Sequence, residues 1–173
     1  MEVSDLPING LKLIKPRIFQ DARGFFFESY RKPLYPWTEF VQDNMSFSCK
    51  NTIRALHYQS DPGQAKLVSC LQGEIWDVAV DIRPDSPTFG QYMAVELSEK
   101  TRHQLYIPVG FAHGFCVLSD SAWVHYKVSR IYDPKAECSI RWNDPDLAIA
   151  WPISSPVVSE RDQKAPLFKE VFR

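Results

Sequence analysis

The sequence has little of several features that each mark a class of protein. The chain has no excess of charge of either sign, because its 20 Lys and Arg residues nearly balance its 21 Asp and Glu residues, which gives a formal net charge of −1. That balance excludes a general electrostatic attraction to nucleic acid or to an acidic membrane surface. No uninterrupted apolar run approaches the ~18 residues that a membrane-spanning helix needs. We therefore predict no nucleic-acid partner and no membrane partner, and any anionic ligand must be held by a local basic cluster.

Paired cysteines are missing as well. Cys49, Cys70, Cys116 and Cys138 stand far apart with no C-x-x-C pair, and the first residues show no basic-then-apolar signal pattern. A chain of 173 residues is large enough to bury a core without disulfides. We therefore predict one domain over residues 1–173, with reduced and buried thiols, in a protein of the cytoplasm.

Glycine is scarce at 7 residues, whereas 13 prolines indicate many turns and sheet edges. Short stretches of alternating character follow one another at close spacing, which is typical of a sandwich or barrel. In the clearest of them the side chains from Trp76 to Ile82 alternate between two faces, and residues 122–129 repeat the pattern. The one clear helical signal is a short helix capped by Ser159. The pattern predicts an all-β fold with minor peripheral helices.

Ionisable side chains interrupt strand-type sequence that is otherwise largely apolar. His57 lies in the segment 53–59, and Lys66 begins the next segment with Val68 and Cys70 on its side. Burying such groups is costly without a partner or a chemical task. Each has an alternative when taken alone: His57 as a satisfied core histidine, and Lys66 as an edge lysine whose head reaches water.

Arg54 precedes His57 by three residues in the same segment. Strict alternation puts these two side chains on opposite faces of the strand, with Ile53 and Ala55 on the side of His57. Both can serve one pocket only if the strand bulges or ends there.

Two further polar groups stand in later segments. Tyr126 shares a strand face with Val124 and Val128, where it is either a core tyrosine or a proton donor. Asp162 follows Ser159 in the first turn of the short helix, where the helix dipole alone already favours a carboxylate. Together with the histidine and the lysine, these groups supply a base, an acid and a cation. That set suits proton transfer next to a carbonyl.

A metal site is the alternative for the histidines. His113 follows a proline–glycine turn at the start of a strand, a spacing that recurs in cupins, where such a histidine is often a metal ligand. However, His57, His103, His113 and His125 are scattered and form no H-x-H pair. Since a metal needs three or four converging ligands, we predict no metal in the site.

Longer motifs connect the chain to a known family. They occupy residues 19–26, 40–44, 54–59, 65–68, 77–83, 86–90, 107–115 and 126–127. In these motifs, and over nearly all of its length, the chain resembles the deoxythymidine-diphosphate-4-dehydrorhamnose 3,5-epimerase family. The resemblance implies a cupin-type β-barrel or jelly roll. It also implies an isomerase that needs neither metal nor other cofactor and that acts on a nucleotide-diphosphate sugar.

The resemblance implies a role for each reactive group. His57 would be the general base that removes a proton next to the C4 ketone, with Asp162 orienting its imidazole. Lys66, helped by Arg54, would stabilise the enolate oxygen. Tyr126 would return a proton from the opposite face, which inverts the carbon. The implied reaction inverts C3, C5 or both in dTDP-4-keto-6-deoxy-glucose and, when both invert, gives dTDP-4-keto-L-rhamnose.

The family's binding positions are also matched. Those of the sugar pocket are Gln42, Asn44, Asp77 and His113, and those for the nucleotide diphosphate are Phe19, Arg23, Glu28 and Tyr132. By the same resemblance, the N-terminal segment that includes Phe19 to Glu28 would exchange onto a neighbouring subunit. The expected assembly is therefore a homodimer with shared active sites.

The chain departs from the family at Met45, where histidine is usual, and at Ala55 and Ala65, where glycines are common. We expect these residues to lie beside the pocket, where they could narrow the sugar accepted or restrict reaction to one carbon. Two alternative activities stay open: an epimerase acting at C3 only or C5 only, and a 3,4-ketoisomerase on a related sugar. A sugar-binding or metal-binding cupin without chemistry is a third alternative, which the complete proton-transfer set disfavours.

Overall fold

The computed structural model describes residues 1–172, and strands dominate it. The helices are α1 (Glu160–Gln163), α2 (Phe168–Val171) and a 3-10 turn at Lys32–Leu34. The predicted all-β class with minor helices is confirmed. The strands are β1 (Glu2–Asp5), β2 (Lys12–Lys15), β3 (Ile18–Asp21), β4 (Gly24–Phe27), β5 (Gln42–Cys49), β6 (Thr52–Gln59), β7 (Lys66–Gln72), β8 (Glu74–Asp81), β9 (Tyr92–Ser98), β10 (Gln104–Ile107), β11 (Phe111–Val117), β12 (Ser121–Val128), β13 (Glu137–Ser139) and β14 (Val157–Val158).

Two large sheets share one interior. The first has the strand order β1-β2-β10-β7-β12-β5, and the second has the order β13-β6-β11-β8-β9, with β14 parallel to β6. Strands β3 and β4 form a separate hairpin. Two facing sheets of crossed connectivity make the jelly-roll type of barrel that the motifs predicted.

Apolar side chains from both sheets fill one part of this interior. They include Val68 of β7, Ile75 of β8, Leu105 of β10 and Val124 of β12. Alternation along β8 sends Val78 and its even-numbered neighbours to the outer face of the second sheet. There they form a second cluster, which the C-terminal residues cover. The predicted two-faced character of residues 76–82 is therefore confirmed.

The cysteines are only partly as predicted. All four are free thiols, and Cys70 and Cys116 are buried as expected. Cys49 is exposed and Cys138 is half-buried, so the prediction that all four are buried is wrong. The cause is position, because Cys49 ends an edge strand and Cys138 lies in a three-residue strand at the margin of its sheet.

The helices are short and peripheral. Ser159 caps α1 as predicted, since its hydroxyl accepts a hydrogen bond from the Asp162 amide at 3.1 Å. Within residues 1–172, none of the helices has the length and apolar character to cross a membrane.

Candidate active site

A cavity of about 380 Å³ opens into the barrel at the end opposite the apolar core. Strands of both sheets line it, because β5, β7 and β12 face β6 and β11 across the interior. The predicted residues that line it are Gln42, Asn44, Arg54, His57, Lys66, His113, Tyr126 and Tyr132. The imidazole of His57 and the phenol of Tyr126 therefore share one cavity and do not point into separate ones.

Strand β6 bulges at the point where both of its site residues stand. His57 pairs with His113 of β11, but Arg54 pairs with Phe115, so three steps along β6 match two along β11. The extra residue lets Arg54 and His57 face the same cavity. Ile53 and Ala55 pack instead into the outer apolar cluster, so placing them beside His57 was wrong. Strict alternation fails here because a bulge shifts the side-chain period.

Asp162 contacts the imidazole of His57 from outside the cavity. Its Oδ1 lies 2.8 Å from His57 Nε2, and its carboxylate is almost completely buried. Burial opposes ionisation, but the hydrogen bond with His57, the Ala55 amide and the charge of Arg161 together outweigh it, so the pKa of Asp162 lies below its usual value. An ionised carboxylate only accepts hydrogen bonds, so the imidazole carries its proton on Nε2. Nδ1 is then the nitrogen left with a free lone pair, which a general base needs.

A second histidine–carboxylate pair stands beside the first. His113 Nε2 lies 2.9 and 3.0 Å from the two oxygens of Asp77, and both side chains are buried. Burial is the main cause that lowers the pKa of His113, and the attraction of Asp77 only partly offsets it. His113 is therefore a neutral imidazole near pH 7, and it lines the cavity as a polar group rather than as a charge.

Lys66 supplies the buried cation. Its side chain is 8 % exposed, and its Nζ donates to the carbonyl oxygen of His57 at 3.2 Å. Burial lowers the pKa of Lys66 to about 8, against an opposing attraction from Asp77 and Glu137. The ammonium form therefore still prevails at pH 7, although the loss of its hydration destabilises that form. Such a group is well matched to an oxygen that becomes negative during a reaction.

Tyr126 lies on the wall opposite His57. It belongs to β12, where it pairs with Asn44 of β5 and Val68 of β7. Burial raises the pKa of Tyr126 despite the nearby Arg54 guanidinium, so the phenol keeps its proton at neutral pH. A group that holds a proton on the face across from a base can act as the general acid.

Of the residues predicted to contact the nucleotide, one lines the cavity and the other three lie outside it. Tyr132 lines the cavity, and its backbone amide donates to Gln42 Oε1 at 2.9 Å. Phe19 and Arg23 belong to the separate β3–β4 hairpin, outside the cavity, and Arg23 pairs with Asp21 of the same hairpin. Glu28 follows that hairpin and pairs with Arg31.

Sequence reasoning missed several cavity residues. Glu137 joins Arg161 at 2.9 Å and the phenol of Tyr132 at 2.6 Å, which builds one rim of the cavity. Arg161 had a visible signal, because a cation in the first turn of a helix opposes the helix dipole and needs another reason to be there. Ser46 lines the wall, and within residues 1–172 its hydroxyl is the one buried side-chain polar atom without a protein hydrogen-bond partner.

One of the three departures from the family pattern lies elsewhere than expected. Met45 points away from the cavity, because alternation along β5 gives the cavity to Asn44 and Ser46. Its side chain is 56 % exposed and lines a larger groove, of about 660 Å³, on the outer face of the first sheet. Ala55 and Ala65 are buried in apolar clusters. The prediction that Met45 lies beside the sugar pocket is therefore wrong.

Comparisons with known proteins identify the family. The family model of dTDP-4-dehydrorhamnose 3,5-epimerase matches residues 5–170. The dTDP-4-dehydrorhamnose 3,5-epimerase of Salmonella typhimurium is 47% identical over 179 residues, which cover 99% of this chain and 98% of the relative.

Solved structures are similar over the same span. The dTDP-6-deoxy-D-glucose-3,5-epimerase of Legionella pneumophila, in complex with dTDP-4-keto-L-rhamnose, is 49% identical with a TM-score of 0.93, over 96% of this chain and 92% of that one. NovW, a 4-keto-6-deoxy sugar epimerase of Streptomyces spheroides, is 37% identical with a TM-score of 0.95, over 99% and 89%. The cupin-type barrel is thereby confirmed.

Proposed function

The chain belongs to the dTDP-4-dehydrorhamnose 3,5-epimerase family, and we propose that it inverts both C3 and C5 of dTDP-4-keto-6-deoxy-glucose to give dTDP-4-keto-L-rhamnose. The enzyme class is that of the isomerases. The observation that carries the proposal is the placement of His57 and Tyr126 on opposed strands of one cavity, with Lys66 beside them.

The proposed reaction begins with His57. Its Nδ1 takes the proton from the carbon next to the C4 ketone, and the resulting imidazolium is stabilised by Asp162 at 2.8 Å from Nε2. The electrons of the broken C–H bond move onto the ketone oxygen. Lys66 and Arg54 stabilise that enolate oxygen, since both are cations that line the same cavity.

Inversion then requires a proton from the other face of the enolate. Tyr126 is the proposed donor, because its phenol keeps its proton and stands on the wall across from His57. A base acting alone would return the proton to the face from which it came. Before the second carbon reacts, His57 releases its proton to solvent and Tyr126 regains one from solvent. The same groups then serve the second carbon, because C3 and C5 flank the same ketone. Gln42, Asn44, His113 and the Asp77 behind it are proposed to hold the sugar.

Proton NMR in heavy water tests the proposal with thymidine-linked 4-keto-6-deoxyglucose. We expect deuterium at both C3 and C5, together with coupling constants of the inverted sugar. Exchange and inversion at one carbon only would instead favour a single-carbon epimerase, and migration of the ketone would favour a 3,4-ketoisomerase. Full activity after treatment with a chelator is the result expected for chemistry without a metal.

We further propose a homodimer in which the β3–β4 hairpin of each protomer completes the partner's nucleotide site. Large apolar side chains of the hairpin are bare in the single chain, with Phe25 54% and Phe26 65% exposed. The outer face of the first sheet is bare too, with Phe47 and Trp123 exposed next to the groove that Met45 lines. Together these surfaces form an apolar area that association would cover.

Mixed dimers test the exchange. One protomer carries His57→Asn and the other carries Arg23→Ala, and each homodimer alone should have low activity. If hairpins are exchanged, the mixed dimer contains one site with both native groups and regains about half of the wild-type activity per dimer. If each hairpin serves its own protomer, both sites keep one defect and mixing restores nothing.

The proposed compartment is the cytoplasm, and the proposed unit is the single cupin-type domain of residues 1–173. The four free thiols, including the exposed Cys49, suit a reducing compartment.

A further inference from the structure

The segment that carries Asp162 has little local structure to hold it. The strand before it, β14, contains two residues, and α1 is a single turn. A helix of that length is not stable by itself, because nucleation costs more than one turn of hydrogen bonds returns. Even so, Asp162 is 3 % exposed and lies at 2.8 Å from His57. Contacts outside α1 must therefore fix its position.

One such contact is a buried carboxylate in the loop after β13. Asp144 is 2 % exposed and accepts the amide hydrogen of Phe168, the first residue of α2, at 2.7 Å. Its other oxygen accepts the amide hydrogens of Asp146 and Leu147 at 2.9 and 3.0 Å, which fixes its own loop. The carboxylate thus joins two segments that are far apart in sequence.

Arg141 of the same loop makes two more contacts to the segment. Its backbone amide donates to the carbonyl oxygen of Pro166 at 2.8 Å, and its Nε donates to that of Ala165 at 2.9 Å. The ring of Phe168 adds apolar packing against Phe89 at 5.1 Å between centroids. Ala165, Pro166 and Phe168 therefore each contact the loop after β13 or the loop between β8 and β9.

We propose that Arg141 and Asp144 form a clamp that positions Asp162 against His57, and that both are positioning residues of the reaction. The inference rests on the proposed function, because it assigns His57 the role of base. Neither clamp residue lines the cavity, so each acts through the C-terminal segment and not through the substrate. A displacement of about 1 Å at a reacting group can cost about 10²-fold in rate, so loosening this segment should be visible in catalysis.

The test is a double-mutant cycle between the clamp and Asp162. Asp144→Asn keeps the shape but cannot accept all three amide hydrogens, and we expect kcat to fall roughly tenfold with KM within about twofold of wild type. In an Asp162→Ala background, the same substitution should lower kcat by less than about twofold, because the group that it positions is gone. Arg141→Met, which removes one donor and keeps the apolar stem, should show the same coupling with a smaller effect.

Asp81→Asn is the matched control. Asp81 is also a fully buried carboxylate that holds a loop, through Arg83, Ser86 and Thr88. Within residues 1–172, that loop makes no hydrogen bond to the segment that carries Asp162 and contacts it through ring packing of Phe89 on Phe168. We expect Asp81→Asn to lower the melting temperature and to lower kcat less than Asp144→Asn does.

Several results would overturn the inference. One is an equal loss of kcat from Asp144→Asn with and without Asp162, and another is a wild-type kcat despite a lowered melting temperature. If Asp144→Asn does not fold, the cycle with Arg141→Met decides by the same criteria. Wild-type protein that exchanges no deuterium in the keto sugar refutes the proposed function, and the clamp proposal with it. Normal wild-type exchange with an uncoupled clamp refutes the clamp alone.

Discussion

The two ends of the barrel interior differ in chemistry although the same strands build both. On β7, Lys66 lies at the cavity end and Cys70 lies in the apolar core. On the antiparallel strand β12, Tyr126 lines the cavity, and Val124 lies next to Cys70 in the core. The end that contains Lys66 and Tyr126 is the cavity, and the other end is a packed apolar core. Because adjacent strands carry both ends, the apolar core acts as a rigid base for the reactive groups.

The buried Lys66 and His113 and the half-buried Tyr126 lie at the cavity end of the interior. Burial lowers the pKa of Lys66 and of His113 and raises that of Tyr126, which in each case disfavours the charged form. The core holds side chains that contribute stability through burial alone. Stability and reactivity therefore depend on adjacent parts of the same interior, and substitutions at each end should separate them.

The largest effect is expected at the base of the reactive end. His57→Asn should slow deuterium incorporation at C3 and C5 by roughly 10³-fold or more, because the proton-abstracting nitrogen is lost. Proton NMR in heavy water measures the rate, and circular dichroism checks that the fold is kept. Incorporation at the wild-type rate would remove His57 from this role.

Lys66→Met should lower the activity of the protein and raise its stability. We expect kcat to fall about 10²- to 10³-fold because the enolate oxygen loses the buried cation proposed to stabilise it. The melting temperature at pH 7 should rise, since a desolvated ammonium is replaced by an apolar side chain.

The pH dependence of Lys66 has a defined sign. Its pKa is about 8 in the folded protein and near 10.5 when unfolded, so between these values the unfolded chain binds more protons. The wild type should therefore gain stability from pH 8 to 10.5 and lose kcat as pH rises through about 8. Denaturant titrations across this range should show that Lys66→Met lacks that gain, and an unchanged gain in the variant would assign it to another group.

Tyr126→Phe should have an intermediate effect on the reactive end. Proton abstraction needs only the base, so we expect deuterium exchange to survive while inversion slows by roughly 10²-fold. Comparing exchange with the appearance of inverted sugar in the same NMR samples measures both rates. Undiminished inversion would mean that another group is the acid.

The smallest effect on activity is expected at the apolar end. Val117 is fully buried in the interior core. The substitution Val117→Thr keeps the shape of the side chain and replaces one methyl group by a hydroxyl. The free energy of unfolding should fall by about 1–3 kcal/mol, the cost of a buried polar group without a partner. KM and kcat should stay at wild-type values. A change in kcat comparable to that of Tyr126→Phe would show that the two ends are not separable.

Local pattern was enough for part of the fold and the site. Alternation along residues 76–82, the capping of α1 by Ser159 and the inward direction of Lys66 are short-range properties, and each is seen in the structure. The reactive residue types were also recognisable, because a charged group in an apolar strand has few purely structural explanations. Residues that approach from distant segments, such as Glu137, gave no comparable pattern.

The amino-acid sequence by itself determined the strand-rich class, the family and the identity of the groups that can exchange protons, since these follow from residue type and spacing. Only the tertiary structure decided that Arg54 and His57 share a cavity, because a bulge depends on the pairing of β6 with β11. It also decided that Asp162 reaches His57 across 105 positions of the chain, and that Met45 faces outward. Contacts between distant segments are fixed by packing, which no local pattern encodes.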